Sequence, residues 1–249
     1  MKAQELALDT ISNNMANIST SGFKKSQISF QDMLYSTLSS PGAENSEGTL
    51  PGGIQVGHGT RLAGITKQFT QGSLVQTDQP LNVAIEGDGF FEVTMPDGSA
   101  AYTRDGTFRQ NATGEVVTAN GYKVPAFSSI DTGTTEINIA ADGTFTTVVN
   151  GAMTTKSPVT LVRFANPEGL RSIGHNLYTA TDSSGTAISG LAPGTNGIGT
   201  LAQNNVEASN VNAAEELVNM ITVQRAYEAT SKAIKASDQM LGIANSLRQ

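Results

Sequence analysis

The sequence predicts an α+β chain, mainly β. Coiled-coil-like helices at the N- and C-termini pack together, and a central antiparallel β-rich domain, a small barrel or sandwich, lies between them. Three observations carry this reading. From Val211 to Leu247 there is no Pro, the only Gly is Gly242, and Ala213, Met220, Tyr227, Ile234 and Leu241 recur every seven residues, which keeps one helical stripe facing a partner. At the other end Met1, Gln4, Leu8, Ile11, Met15 and Ile18 alternate spacings of three and four, the a/d pattern of a seam. Between them the 26 Gly and the abundant Ser, Thr and Asn suit short strands joined by tight turns.

Taken in order, the chain divides into an N-terminal helical segment 1–38, an arm with connecting strands 39–80, a β-rich outer domain 81–204 and a C-terminal helix 205–249. The first helix ends where Asn17-Ile18-Ser19-Thr20-Ser21 runs into Gly22, residues that favour turns and helix ends. Phe23 to Leu38 reads as either helix or extended chain. Ser39 to Gly53, with Pro41, Gly42, Leu50 and Pro51, has turn formers and no apolar period, the mark of a linker. Strands are predicted at Ile54-Gln55-Val56, Ile65 to Phe69, Leu81 to Ile85, Phe90 to Met95, Val116-Val117, Ile137 to Ile139, Phe145 to Val149 and Val159 to Phe164. Turns are predicted at Pro96-Asp97-Gly98, Asp105-Gly106, Asn120-Gly121, Asp142-Gly143 and Asn150-Gly151. The C-terminal seam is one-sided. Its companion heptad row, Leu217, Gln224, Ser231, Asp238 and Asn245, is polar after Leu217. A helix with four or five buried apolar residues, at ~1.5–3 kcal/mol each, cannot offset the ordering of ~35 residues at ~1 kcal/mol or more each. The helices are therefore expected to order on assembly.

Composition narrows the function classes. A net charge of −7 argues against nucleic acid as a partner, because phosphate contacts need clustered Lys and Arg. The absence of Cys excludes disulfides, thiolate metal sites and Cys nucleophiles. No apolar run approaches the ~18 residues of a membrane span, so direct membrane insertion is not expected. The first residues lack the apolar core of a cleavable signal peptide. No catalytic constellation stands out, and neither a cofactor nor a metal is expected. His58 and His175 sit beside Gly or Asn in loops. Gly57-His58-Gly59 and Gly87-Asp88-Gly89 are fragments of a phosphate loop with no helix following. The Asp-Gly pairs lack the run of oxygens a Ca²⁺ loop needs. Asn111-Ala112-Thr113 matches a glycosylation sequon by chance. Lys24-Lys25 reads as a solvated turn, with an electrostatic contact to a neighbour as the alternative. Arg104-Asp105 reads as a local ion pair or turn, worth under ~1 kcal/mol if exposed.

The wording of both ends is more specific than their periodicity. Ser12-x-Asn14-Met15-Ala16-Asn17, followed by Thr20-x-Gly22-Phe23-Lys24, resembles the signature of the bacterial flagellar rod and hook family. Ser209-Asn210-Val211-Asn212, Glu215 to Ile221 and Gln224-Arg225-Ala226-Tyr227-Glu228 resemble that family's other end. The Gly-Phe-Phe passage at Gly89 and Ala101 to Phe108 resemble its central region. The insertion from Ser40 to Gly59 is similar to the distal-rod branch, where it forms an extended arm against neighbouring subunits.

The resemblance implies a structural subunit and no enzyme. It would polymerise helically into the hollow drive shaft that crosses the periplasm and transmits torque from motor to hook. Its partners would be further copies of itself, other rod proteins, the hook protein, the outer ring bushing, the export machinery and the rod cap. Export would proceed without a cleavable signal peptide. The seam residues Leu8, Ile11, Met15, Ile18, Leu217, Met220, Tyr227, Ile234 and Leu241 would form the assembly interface. Relatives in the family begin a few helical turns earlier, so part of the packing helix is expected upstream of Met1. Two alternatives remain open in the sequence: a proximal rod or hook subunit of the same family, and a β-rich adhesin or tail-fibre-like protein.

Overall fold

The computed structural model describes residues 1–39, 44–45, 48–49 and 53–246. Among these it is mostly β, with one helix at each end, α1 (Lys2–Ala16) and α2 (Ala213–Ser246). Contacts gather the chain into two compact units. One comprises Met1–Asn13, Ser26–Thr66 and Ala214–Gln249, the other Asn14–Lys25 and Lys67–Ala213.

The second unit is built from small antiparallel sheets. The largest has four strands, in the order Arg171–Gly174, Leu177–Thr179, Ala100–Thr103, Phe91–Thr94. Pro96-Asp97-Gly98 closes its first hairpin, as predicted, with Asp97 Oδ1 accepting the Ser99 N–H at 2.9 Å. A three-stranded sheet follows from Thr134–Ile139, Phe145–Val149 and Ala152–Thr155. Asn150-Gly151 turns between its last two strands with φ of 50° and 81°, the two left-handed residues that a type I′ hairpin needs. The remaining strands pair in twos. Val83–Glu86 lies against Thr200–Gln203, and Leu74–Gln76 against Asn205–Glu207.

Side chains alternate across these strands as the pleat requires. Phe91 and Val93 are buried, while Glu92 and Thr94 are half-buried. The core they enter is organised by rings set edge to face. Phe91 meets Phe108 at 5.0 Å, Phe108 meets Phe127 at 5.3 Å, and Phe127 meets Phe145 at 6.1 Å. Such pairs add ~0.5–1.5 kcal/mol beyond their burial. A second cluster joins Phe90, Tyr102, Val162, Phe164, Leu170 and Tyr178.

The barrel expectation needs correction, because these strands do not close into one. Strands in this unit run from two residues (Arg109–Gln110) to six (Thr134–Ile139). Turn residues interrupt the ladders before a continuous sheet can wrap on itself. Asp105-Gly106 also differs from expectation. Gly106 is a close approach more than a hairpin turn, since a Cβ there would lie 1.8 Å from the Val83 carbonyl oxygen.

In the first unit, the run that reads ambiguously in sequence is strand. Ser26–Asp32 pairs with Thr60–Lys67, and Tyr35–Ser39 runs antiparallel to Ile54–Gly57. Phe30, Met33, Leu34, Leu38, Ile54, Val56 and Ile65 on this ribbon are exposed. A two-stranded ribbon without a covered face is marginal by itself.

Phe91→Ala should lower stability by about 3–5 kcal/mol, read from urea unfolding. Met153→Ala, on an exposed edge strand, should stay within about 0.5 kcal/mol. Equal losses at the two positions would contradict the assignment of the core.

Candidate functional site

Two features meet the residues that the sequence singles out: a buried charge cluster under the N-terminal motif, and an open stripe on α2. The first begins where α1 ends. Asn14 is buried, and the backbone winds on through hydrogen bonds from Asn17 N to Asn14 O and from Thr20 N to Asn17 O. The Thr20 hydroxyl donates to Asn17 Oδ1 at 3.2 Å. Gly22 then takes φ +69°, and a Cβ there would meet the Asp105 backbone nitrogen at 2.7 Å. No L side chain fits both constraints without strain. The Gly22 N–H donates to the Glu207 carbonyl at 2.8 Å. Phe23 is buried, with Lys67 Nζ 4.3 Å above its ring.

Lys24 follows, and here the expectation of a solvated turn is overturned. Its side chain is 0% exposed, and so is that of Glu207, with Nζ and Oε1 2.5 Å apart. The ammonium also donates to the Thr70 carbonyl at 2.8 Å, and the Gly72 N–H donates to Glu207 Oε1 at 2.9 Å. For Arg104-Asp105 the local ion pair is not formed, while the turn alternative holds as an Asx turn at Asp105. Arg104 is only 2% exposed, and its carboxylate partner is Glu207 Oε2, 3.7 Å from Nε. Asp105 Oδ1 is occupied by the Thr107 N–H and hydroxyl, at 3.0 and 2.8 Å. Burial pulls the Lys24 ammonium below its ordinary pKa. Glu207 opposes that shift and Arg104 adds to it. Burial also pulls Arg104 down, against Glu207, Asp88 and Tyr178.

One more side chain completes the latch. Asn210 Oδ1 accepts the Lys25 N–H at 2.7 Å, and Nδ2 donates to the Gln68 carbonyl and the Thr70 hydroxyl, both at 2.9 Å. The motif after α1 and the segment before α2 are thus fastened to the same few residues. Glu207, the centre of the arrangement, carries no signal in the sequence. It is one carboxylate in a short strand, and only the fold brings it to Lys24.

The second feature is the seam. On α2, Leu217 is 48% exposed, Ile234 45% and Leu241 62%; Tyr227 is also exposed, and Met220 is half-buried. On the N-terminal side Ile11 is buried, whereas Leu8, Met15 and Ile18 are half-buried. The half-buried line of α2 is Met220, Val223, Ala226 and Thr230. Gln4 Nε2 donates to the Thr230 hydroxyl at 3.4 Å. From Lys232 to Ser246 every described side chain is exposed. Ser12 and Ala16 are exposed as well. The arm positions Pro41, Gly42, Leu50 and Pro51 lie outside the described residues.

Other polar groups have local explanations. His175 occupies a turn at φ +53°. Asn111 of the sequon caps its own turn, accepting from the Thr113 N–H and hydroxyl and from the Glu115 N–H. Among the described residues no group of three His, Asp or Glu is placed to hold a metal.

Three family profiles match the chain: "Flagella basal body rod protein" over residues 1–24, "Flagellar hook protein FlgE/F/G D1 domain" over 84–147, and "Flagellar basal body rod FlgEFG protein C-terminal" over 202–247. Flagellar basal-body rod protein FlgG of Buchnera aphidicola subsp. Acyrthosiphon pisum is 48% identical over 244 residues, 97% of this chain and 94% of the relative. The protein of the same name from Borreliella burgdorferi is 45% identical over 257 residues, covering 100% and 96%. The chain belongs to the flagellar basal-body rod protein family. The first and third profiles end and begin on the two sides of the latch. The Gly22-Phe23-Lys24 part of the rod signature therefore has a structural meaning in this chain. The Gly permits the close turn, the aromatic residue packs, and the cation neutralises a carboxylate that the β unit buries.

The arithmetic of the latch predicts an unequal response. Glu207→Gln leaves two buried cations without their shared carboxylate and should cost about 3–5 kcal/mol. Lys24→Met still leaves Arg104 beside Glu207 and should cost clearly less. Chemical unfolding of the two variants checks the order. A Lys24→Met loss equal to or larger than that of Glu207→Gln would contradict a cluster centred on the carboxylate.

Proposed function

We propose that this chain is a distal-rod subunit. It polymerises helically into the hollow drive shaft that crosses the periplasm and carries torque from the motor to the hook. The observation that carries the reading is the uncovered second half of α2. A 34-residue helix is ~51 Å long, and among the described residues the side chains of its last turns are exposed. Helices gain most of their stability from packing an apolar face. A face of Leu217, Tyr227, Ile234 and Leu241 therefore needs neighbours, and copies of the same chain supply matching stripes. In that arrangement Leu8, Ile11, Met15 and Ile18 join the seam, and the polar row Gln224, Ser231 and Asp238 sets register or lines a wet channel.

The exposed apolar ribbon of the first unit supports the same reading, since patches of this kind mark protein contacts. This ribbon makes an arm that reaches neighbouring subunits. The β-rich unit faces outward, where its acidic, polar surface turns inside the ring bushing with little adhesion. The partners are further copies, other rod proteins, the hook protein, the rod cap and the export machinery. The work is mechanical, and no catalysis or cofactor enters it.

Leu217→Asp or Ile234→Asp should leave the β unit folded by circular dichroism and abolish tubes in electron micrographs of concentrated protein. Tubes formed by either variant would show that the seam does not hold the polymer. Compact small oligomers in place of tubes from the unmodified chain would favour a fibre-like protein instead.

A further inference from the structure

Next to the latch lies a small cavity of about 120 Å³ that the assembly reading does not use. Phe69, Phe90 and Phe164 line it, together with Arg104, Asp88 and Arg163. The rings form a continuous apolar wall, with Phe90 5.3 Å from Phe69 and 5.7 Å from Phe164, both edge to face. Arg104 supplies the polar end. It is 2% exposed, its guanidinium carbon sits 5.7 Å from the Phe90 ring centroid, and neither Nε nor Nη1 has a hydrogen-bond partner. Glu207 Oε2, the nearest carboxylate oxygen, is 3.7 Å from Nε, beyond a hydrogen bond. Arg163 is exposed and spends Nη1 on the Asn196 carbonyl at 2.9 Å.

A buried guanidinium with unmet N–H groups is costly, and its strongest complement is a carboxylate. Two guanidinium groups against the one carboxylate of Asp88 leave the lining with a positive balance. The aromatic wall asks for more than an anion, because it suits a short alkyl stem. We infer that this cavity is a carboxylate-binding site, taking a short alkyl carboxylate whose oxygens meet Arg104 and whose stem lies along Phe69, Phe90 and Phe164. Two sources carry that chemistry. One is a free short-chain organic acid. The other is a Glu or Asp side chain of a second copy, and with 22 acidic residues against 15 basic ones a neighbouring copy offers many. The second source rests on the assembly reading above; the first does not.

Acetate is titrated into dilute monomer at fixed pH and ionic strength, with chloride as the matched control. The Arg104 side-chain N–H signal is followed by NMR, and the thermal midpoint in parallel. The expected result is a saturable shift with acetate and none with chloride. Asp88→Asn removes a competing charge and should tighten binding several-fold. Arg163→Gln should weaken it several-fold. Ala165 also lines the cavity, and Ala165→Phe, which fills it without touching a charge, should abolish binding. Circular dichroism confirms that each variant is folded. In assembled protein, an Arg104 signal already at its bound position and indifferent to acetate identifies a neighbour's carboxylate as the occupant. A signal that still responds to acetate identifies the free acid. Failure to assemble leaves the monomer result standing and counts only against the assembly reading. No saturable acetate shift in folded monomer, or an unchanged shift in Ala165→Phe, overturns the site and leaves the cavity to water.

Discussion

A carboxylate buried beside two cations is the constraint on which the rest of this molecule depends. Glu207 lies at 0% exposure with Lys24 against one oxygen and Arg104 facing the other. Desolvating such groups costs several kcal/mol per ion. The cluster persists because backbone groups share the load: the Gly72 N–H on the carboxylate and the Thr70 carbonyl on the ammonium. Its value is in specificity of position more than in net stability. The placement of residues 22–25 that satisfies Lys24 also sets Gly22 against Asp105 and Lys25 against Asn210. The chain is held at the point where it leaves α1 and again just before α2.

That arrangement separates two kinds of stability. The β unit carries its own aromatic core and short, well-turned hairpins. The second helix and the ribbon present apolar side chains that are exposed among the described residues. A polymerising subunit benefits from this division. In the proposed polymer the body would fold before assembly, and the exposed surfaces would gain their stability when copies meet.

The legible parts of the sequence were those governed by local rules. Heptad spacing located both helices, and Pro96-Asp97-Gly98, Asp142-Gly143 and Asn150-Gly151 located three hairpins, because turn chemistry acts within four residues. Strands such as Leu177–Thr179 and Asn205–Glu207 escaped, being three residues long and specified by partners far away in sequence. The latch was half visible. Gly22, Phe23 and Lys24 stand out as a motif, but the burial of Lys24 does not. Burial of a lysine depends on a carboxylate 183 positions away, and no periodicity reports that. Turn spacing counts hairpins and does not say how their sheets join, so closure of a barrel is not legible in it.

The most direct test compares amide hydrogen exchange at the latch with exchange along α2 in dilute monomer. The Gly22, Lys25 and Gly72 amides are expected to be protected as strongly as those of Phe91–Thr94, while amides beyond Lys232 exchange quickly. Latch amides that exchange as fast as the end of α2 would contradict this.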